Sequence, residues 1–287
     1  MSDEAFIRPF PALTSAQRYH FDSYGYVVIE NTLTESETGA LFEALHSLKK
    51  ELLATGDPAN KPVRGAFMDG DSVHHGFGHI IEAMPAFLDY YAHPRLVGMA
   101  EEVVGGNVRL SEAEAVINSR NPEESAEEEP KYGFHRGTKP GFGTHTGNGL
   151  FHCTFVKTLT NLTELGPDDG GTVVIAGSHK IDAPEEGVIT LAYEDRSLIH
   201  QVVAPAGSTL LFAESLIHGT GQIRSDRERT IIIGAYAPTM FQAWNAYQPS
   251  QAFIDALPDH LKPLMSGSHS WENWKERYRS LGAAVGN

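Results

Sequence analysis

The chain has 287 residues, 41% of them hydrophobic and 21% charged, which suits one large domain or two small ones built on a real core and excludes a chain disordered throughout. Its 22 basic residues against 37 acidic ones leave a formal net charge of −15. That charge repels phosphate backbones and anionic membrane surfaces, so neither nucleic acid nor a membrane is expected as a partner. A single cysteine, Cys153, allows no internal disulfide and no multi-cysteine zinc site, and MSDEAFIRPF carries no basic-then-apolar leader, so the expected setting is the cytoplasm. The apolar runs are all far shorter than the ~20 residues of a membrane span.

Thr14 followed by Gln17 reads as a capping box that opens a short helix through Tyr19 and Phe21, stopped by Gly25. Tyr26–Ile29, β-branched and aromatic, reads as a strand. Thr34 and Glu37 repeat the capping signature. The spacing of Leu41, Phe42, Leu45, Leu48 and Leu52 then predicts an amphipathic helix ending near Gly56. Residues 57–80, rich in Gly, Asp and His, read as loop, and Pro94–Val104 as a helix stopped by Gly105-Gly106. Beyond it the texture changes to short β-rich runs at 108–119, 149–162, 171–176, 198–204, 208–214 and 229–237. Such spacing argues a sandwich or barrel rather than alternating βαβ units. An acidic loop (121–130) and a Gly-rich stretch (133–149) separate the first two runs, and a helical tail, about 250–283, carries Trp271, Trp274 and Tyr278. The expected whole is one domain, mainly β with flanking helices.

Among fourteen histidines, most need no role beyond the surface or a satisfied interior. Two stand in a different context: His135 in Phe134-His135-Arg136-Gly137, just after a strand, and His218 at the end of another. Eleven residues past His218, Arg229 opens the run 229–237. Two imidazoles at strand ends can hold a divalent metal from one side and leave positions open, as an oxygen-activating Fe(II) requires. An arginine on an adjacent strand offers a planar fork to a carboxylate. Taken alone, the same residues also fit a capped strand end with a buried ion pair. No Gly-x-Ser-x-Gly elbow occurs, and the Gly-x-Gly at 141–143 lacks a third glycine. Cys153, in mid-strand, reads as a small buried hydrophobe.

The segments FDSYGYVVIENTLTESE (21–37), AHPRLVGMAEEVVGGNVRL (92–110), FHRG (134–137), GGTVVIAGSHK (170–180) and HGTGQIRSDRERT (218–230) come in one order. Together they resemble the phytanoyl-CoA dioxygenase-like (PhyH-like) branch of the Fe(II)/2-oxoglutarate oxygenases, from about Thr14 to Pro238. The resemblance implies a double-stranded β-helix, a jelly-roll or cupin-like core wrapped by helices. It makes His135 and His218 iron ligands and Arg229 the clasp for 2-oxoglutarate, with Thr220 a further contact to that cosubstrate. It also implies hydroxylation of an unactivated C–H bond of a small molecule, with release of succinate and CO2. His179, in the turn Gly177-Ser178-His179-Lys180, is expected to be structural.

One departure matters: the third position of the family's His-x-Asp/Glu pair is Gly137, which has no side chain to bind metal. A carboxylate from elsewhere completes the site, with Glu112, Glu114, Glu214, Asp69 and Asp71 as candidates. Otherwise chloride or water fills the vacancy, as in the halogenases that this His-x-Gly resembles, or iron binding is lost and the jelly roll serves binding alone. His145 and His152 are candidate third nitrogen ligands. Lys157, if inward, needs an anion, a glutamate before a bound 2-oxoacid. His74, His75 and His79 read as a solvated lid. The Trp271/Trp274 stripe reads as core or as the interface of a homodimer. CoA is an unpromising substrate, since no Lys/Arg cluster awaits its phosphates.

Overall fold

In the computed structural model, residues 11–125, 128–145, 149–242 and 248–268 are described. The first helix, α1 (Ser15–Tyr24), opens on the anticipated capping box: the Thr14 side chain accepts from the Gln17 amide, and the Gln17 side chain accepts from Thr14. It ends at Gly25, whose φ of +83° only glycine adopts without strain. A Cβ at that position would also stand 2.5 Å from Cγ and Nδ1 of the His179 ring. Gly25→Ala is therefore expected to cost about 2–4 kcal/mol, read as a lower midpoint in urea unfolding.

After β1 (Tyr26–Ile29), α2 (Glu35–Ala54) starts on a second capping box and buries Leu41, Leu45, Leu48 and Leu52. The segment 57–80 departs from its expected loop. It contains β2 (Phe67–Gly70) and β3 (His74–Gly78), and β3 pairs with the strand that follows α3 (Pro85–Tyr91) and α4 (Pro94–Val104). That strand is β4 (Val108–Asn118), in register from His74 opposite Asn118 to Gly78 opposite Glu114. Gly, Asp and His have poor strand propensity, so the ladder to β4 supplies what local preference does not. His74, His75 and His79 therefore belong to this strand and its end, not to a lid.

The run 149–162 splits. β5 (Gly143–His145) pairs with β6 (Phe151–Cys153), and β7 (Val156–Asn161) joins another sheet. There follow β8 (Val173–Ile175), α5 (Glu185–Glu194), β9 (Ile199–Gln201), β10 (Thr209–Ala213), β11 (His218–Gly219) and β12 (Arg229–Pro238). Helices α6 (Gln251–Ala256) and α7 (Lys262–Ser266) then add Ile254, Leu257, Leu261, Leu264 and Met265 to the core. The rest of the expected helical tail, with Trp271, Trp274 and Tyr278, lies outside the described residues.

Seven antiparallel strands form one sheet in the order β1-β10-β7-β12-β4-β3-β2, and β11-β8-β9 form a second. Side chains alternate across a strand. On the outer face of the large sheet Val27, Leu211, Ile232, Ala113 and Ile117 pack with the leucines of α2 and the buried α4. On the inner face Tyr26, Leu210 and Phe212 meet Val174 and Val202 of the small sheet. Two sheets face to face, one clad in helices, make a double-stranded β-helix (jelly roll). No helix among the described residues is long and apolar enough to cross a membrane.

Candidate metal and cosubstrate site

The inner face of the large sheet carries unusual cargo. In one row Phe212 of β10 stands opposite Lys157 of β7, Lys157 opposite Ala235 of β12, and Ala235 opposite Glu112 of β4. Glu114 and Arg229 share that face by the two-residue alternation. Half-buried Lys157 sits between two carboxylates, 3.1 Å from Glu112 and 3.4 Å from Glu214, so glutamate is the anion it needs. These acids hold its ammonium above the usual lysine range against the opposing pull of burial. Partial burial, with Glu112 beside it, pushes Glu114 up to about 8. Removing the cation would strand buried charge: Lys157→Met is expected to lower stability by about 3–5 kcal/mol in urea unfolding.

The chain passes from the large sheet to the small one through a turn after Ala213, where the Leu216 amide donates to the Ala213 carbonyl. The strand run expected to reach His218 thus ends at Ala213, and His218 opens the short strand β11. His135 lies not after a strand but in a loop, tied to His218 by an isolated bridge with reciprocal backbone hydrogen bonds of 2.9 Å. The bridge brings the two imidazoles together, their ring centroids 4.4 Å apart. His135 Nδ1 lies 3.0 Å from the Gly133 carbonyl and His218 Nδ1 2.9 Å from that of Leu216. A carbonyl only accepts, so each Nδ1 carries a proton, and in the neutral tautomer so fixed the Nε2 lone pair is left for a metal. His218 is buried, its ring 4.6 Å from that of Phe212. Burial, with His135 beside it, pulls it down to about 3, which keeps it neutral.

Arg229 is 3% exposed. One guanidinium nitrogen donates to Thr172 Oγ1 at 3.1 Å, while its Nε has no hydrogen-bond partner. No ion pair to Arg229 occurs among the described residues, and burial alone pulls it down to about 10, still charged at neutral pH. Thr172 directly precedes β8, where Val173 pairs with Gly219 and Val174 with His218. At about 3.3 Å per residue, Arg229 is anchored some 7 Å along the strand from the partner of His218. Thr172, which accepts from Arg229, escaped the sequence reading, because only the register of β8 against β11 puts it there. Thr220 is exposed and lines an open cleft of about 520 Å3 with Gly133, Gln222, Glu123, Glu124 and Glu128.

The position beside Gly137 is not vacant. A Cβ built there would lie 2.6 Å from Cγ and 2.8 Å from Cδ of Glu214 and would meet its Oε1. Gly137 and Thr138 both donate their amides to the Glu214 carbonyl, at 3.1 and 3.2 Å. Of the readings offered for that space, a carboxylate from elsewhere is the one the Glu214 side chain matches, and nothing there favours chloride. Two of the other candidate carboxylates are engaged elsewhere. Glu112 serves Lys157, and Asp71 accepts from Val73 and His74 in the β2–β3 hairpin. His145 contacts Phe151, and the buried His152 faces Gly105 at the end of α4. Among the described residues no three His, Cys, Asp or Glu side chains already surround one ion position. His179 is structural, as expected: it is buried, its Nε2 is 3.2 Å from the Asp22 carbonyl, and its ring packs on Phe151. Burial pushes the Cys153 thiol up to about 12, so it is inert.

A jelly roll that gathers two imidazoles on one bridge and buries a guanidinium with no ion pair among the described residues defines the class of protein. The chain matches the phytanoyl-CoA dioxygenase (PhyH) family over residues 21–231 and belongs to it. It is 28% identical over 143 residues to Dioxygenase FUM3 of Gibberella moniliformis (strain M3125 / FGSC 7600), a match covering 46% of this chain and 43% of that protein. Dioxygenase olcK of Penicillium canescens is 26% identical over 120 residues, 41% of this chain and 36% of that one, so the matches span less than half the length of these curated relatives. HygX from Streptomyces hygroscopicus, solved with nickel and 2-oxoglutarate, superposes with a TM-score of 0.64 at 22% identity, covering 81% of this chain and 90% of its own. It has also been solved with hygromycin B bound.

Proposed function

We propose that this chain is a non-haem Fe(II)/2-oxoglutarate-dependent oxygenase that hydroxylates an unactivated C–H bond of a small molecule, with release of succinate and CO2. The observation that carries the reading is Arg229: a buried, charged guanidinium that among the described residues meets a hydroxyl and no carboxylate asks for a carboxylate from outside the chain. His135 and His218 would hold iron through Nε2, and Arg229, steadied by Thr172, would clasp the far carboxylate of 2-oxoglutarate. Thr220 offers its hydroxyl to the cosubstrate from the cleft side. The donor set suits this assignment, since neutral imidazoles bind Fe(II) and leave coordination positions open. Bound iron with 2-oxoglutarate supplies oxygen activation; the protein supplies orientation and exclusion of water. Phe212 against His218 and the apolar inner row around Leu210 form the dry wall.

Support for a neutral or cationic small molecule comes from the cleft beside Thr220, where Glu123, Glu124 and Glu128 would repel the phosphates of a CoA thioester. HygX, which binds hygromycin B, gives a precedent for a small-molecule substrate on this fold. Halogenation lacks support, because the carboxylate of Glu214 fills the space a halide would take. The proposed setting is the cytoplasm, in keeping with one buried cysteine. The test is chemical. The chain reconstituted with Fe(II), then given oxygen and 2-oxoglutarate, should form succinate and CO2 in equal amounts, and none without iron. Absence of succinate in every condition would leave a jelly roll that only binds.

A further inference from the structure

We propose that Glu214 supplies the carboxylate of the iron site, reaching through the gap that Gly137 leaves in the His-x-Gly sequence. The inference rests on the reading of His135 and His218 as ligands and deepens it.

Three observations converge. First, the Glu214 side chain stands where a side chain at position 137 would begin, close enough that a Cβ there would collide with its Cγ and Cδ. An acid in the usual place and Glu214 in its present place exclude each other, so the glycine is the counterpart of the glutamate. Second, the alignment is built in, since the amides of Gly137 and Thr138 both grip the Glu214 carbonyl, two residues from His135. His218 follows Glu214 by one four-residue turn, and its Nδ1 is fixed by Leu216 within that turn. Third, Glu214 is 3% exposed, and its Oε2 has no hydrogen-bond partner. Among the described residues its ion-pair partner is Lys157, at 3.4 Å from Oε1. That cation also serves Glu112, so it steadies the free carboxylate without consuming it. A rotation of the Glu214 side chain away from Lys157 is all the assignment requires, and Glu112 keeps Lys157 paired when it happens.

Binding of Co(II), followed by its visible absorption in anaerobic protein, tests this without reference to turnover. His135→Ala and His218→Ala are the controls for the two-histidine reading; if both bind cobalt as the unaltered chain does, that reading falls, whatever Glu214 does. With the controls weakened, Glu214→Gln is expected to lower cobalt affinity at least ~100-fold, beyond the span typical of outer-sphere partners. Gly137→Asp combined with Glu214→Ala is expected to recover affinity to within ~10-fold, because the new acid then has both room and reach. Unchanged affinity in Glu214→Gln, or no recovery in a double variant that melts like the unaltered chain, overturns the assignment. The unaltered protein gives a measurement that no folding defect can obscure. A structure of it loaded with Co(II) should place a Glu214 carboxylate oxygen on the ion beside Nε2 of His135 and His218, and an ion held there without Glu214 would overturn the assignment.

Discussion

His218→Ala is expected to remove Fe(II) binding and succinate formation while the chain stays folded. The loss of affinity should exceed ~100-fold, since disturbing only the outer partners of a metal ligand already costs about 10–100-fold. The fold loses less: one hydrogen bond to Leu216, a ring contact with Phe212, and a small cavity between the sheets, together about 1–3 kcal/mol. Activity and stability therefore separate. An anaerobic titration with Fe(II) and 2-oxoglutarate, read in the visible charge-transfer band, should give no band, while the melting curve shifts by several degrees and keeps its cooperativity. A full band in this variant would remove His218 from the site.

Arg229→Met should act in opposite directions on stability and on ligand binding. The unliganded protein holds a buried cation with one hydroxyl partner, an arrangement that costs several kcal/mol of desolvation. A methionine of similar length removes that cost, so the variant is expected to be about 1–4 kcal/mol more stable than the parent without ligand. Binding goes the other way. Loss of one partner from a buried charge pair costs about 2–5 kcal/mol, which weakens 2-oxoglutarate roughly 30- to 3000-fold. Saturating 2-oxoglutarate should raise the melting temperature of the parent and leave the variant unmoved. A variant less stable than the parent without ligand would show instead that Arg229 serves the fold through a partner within the chain.

Much of the fold was legible where signals are local. The Thr14 and Thr34 capping boxes, the stop at Gly25 and the long runs of β4 and β12 each carry their pattern within a dozen residues, and each formed as read. The β2–β3 hairpin was illegible because its ladder is to β4, not to anything in its own composition. For the same reason the run 149–162 gave no sign of dividing, since β6 and β7 differ only in which strands they meet. His135, His218 and Arg229 stood out through motifs in a recognisable order. Alternation gave Lys157 only a conditional place inside, and a glutamate partner was what burying a lone cation would then require. Why position 137 is glycine was readable only as a set of alternatives, with Glu214 one of five candidate carboxylates. That answer lies in the turn after Ala213, which docks on the loop holding His135 and lays Glu214 across the gap.

The central claim is tested most directly by a crystal structure of the chain grown with nickel and 2-oxoglutarate. Nε2 of His135 and Nε2 of His218 should bind one ion, with the keto acid on that ion and its far carboxylate forked by Arg229 beside Thr172. An ion lodged away from the His135–His218 bridge, or a far carboxylate that leaves Arg229 unpaired, would contradict it.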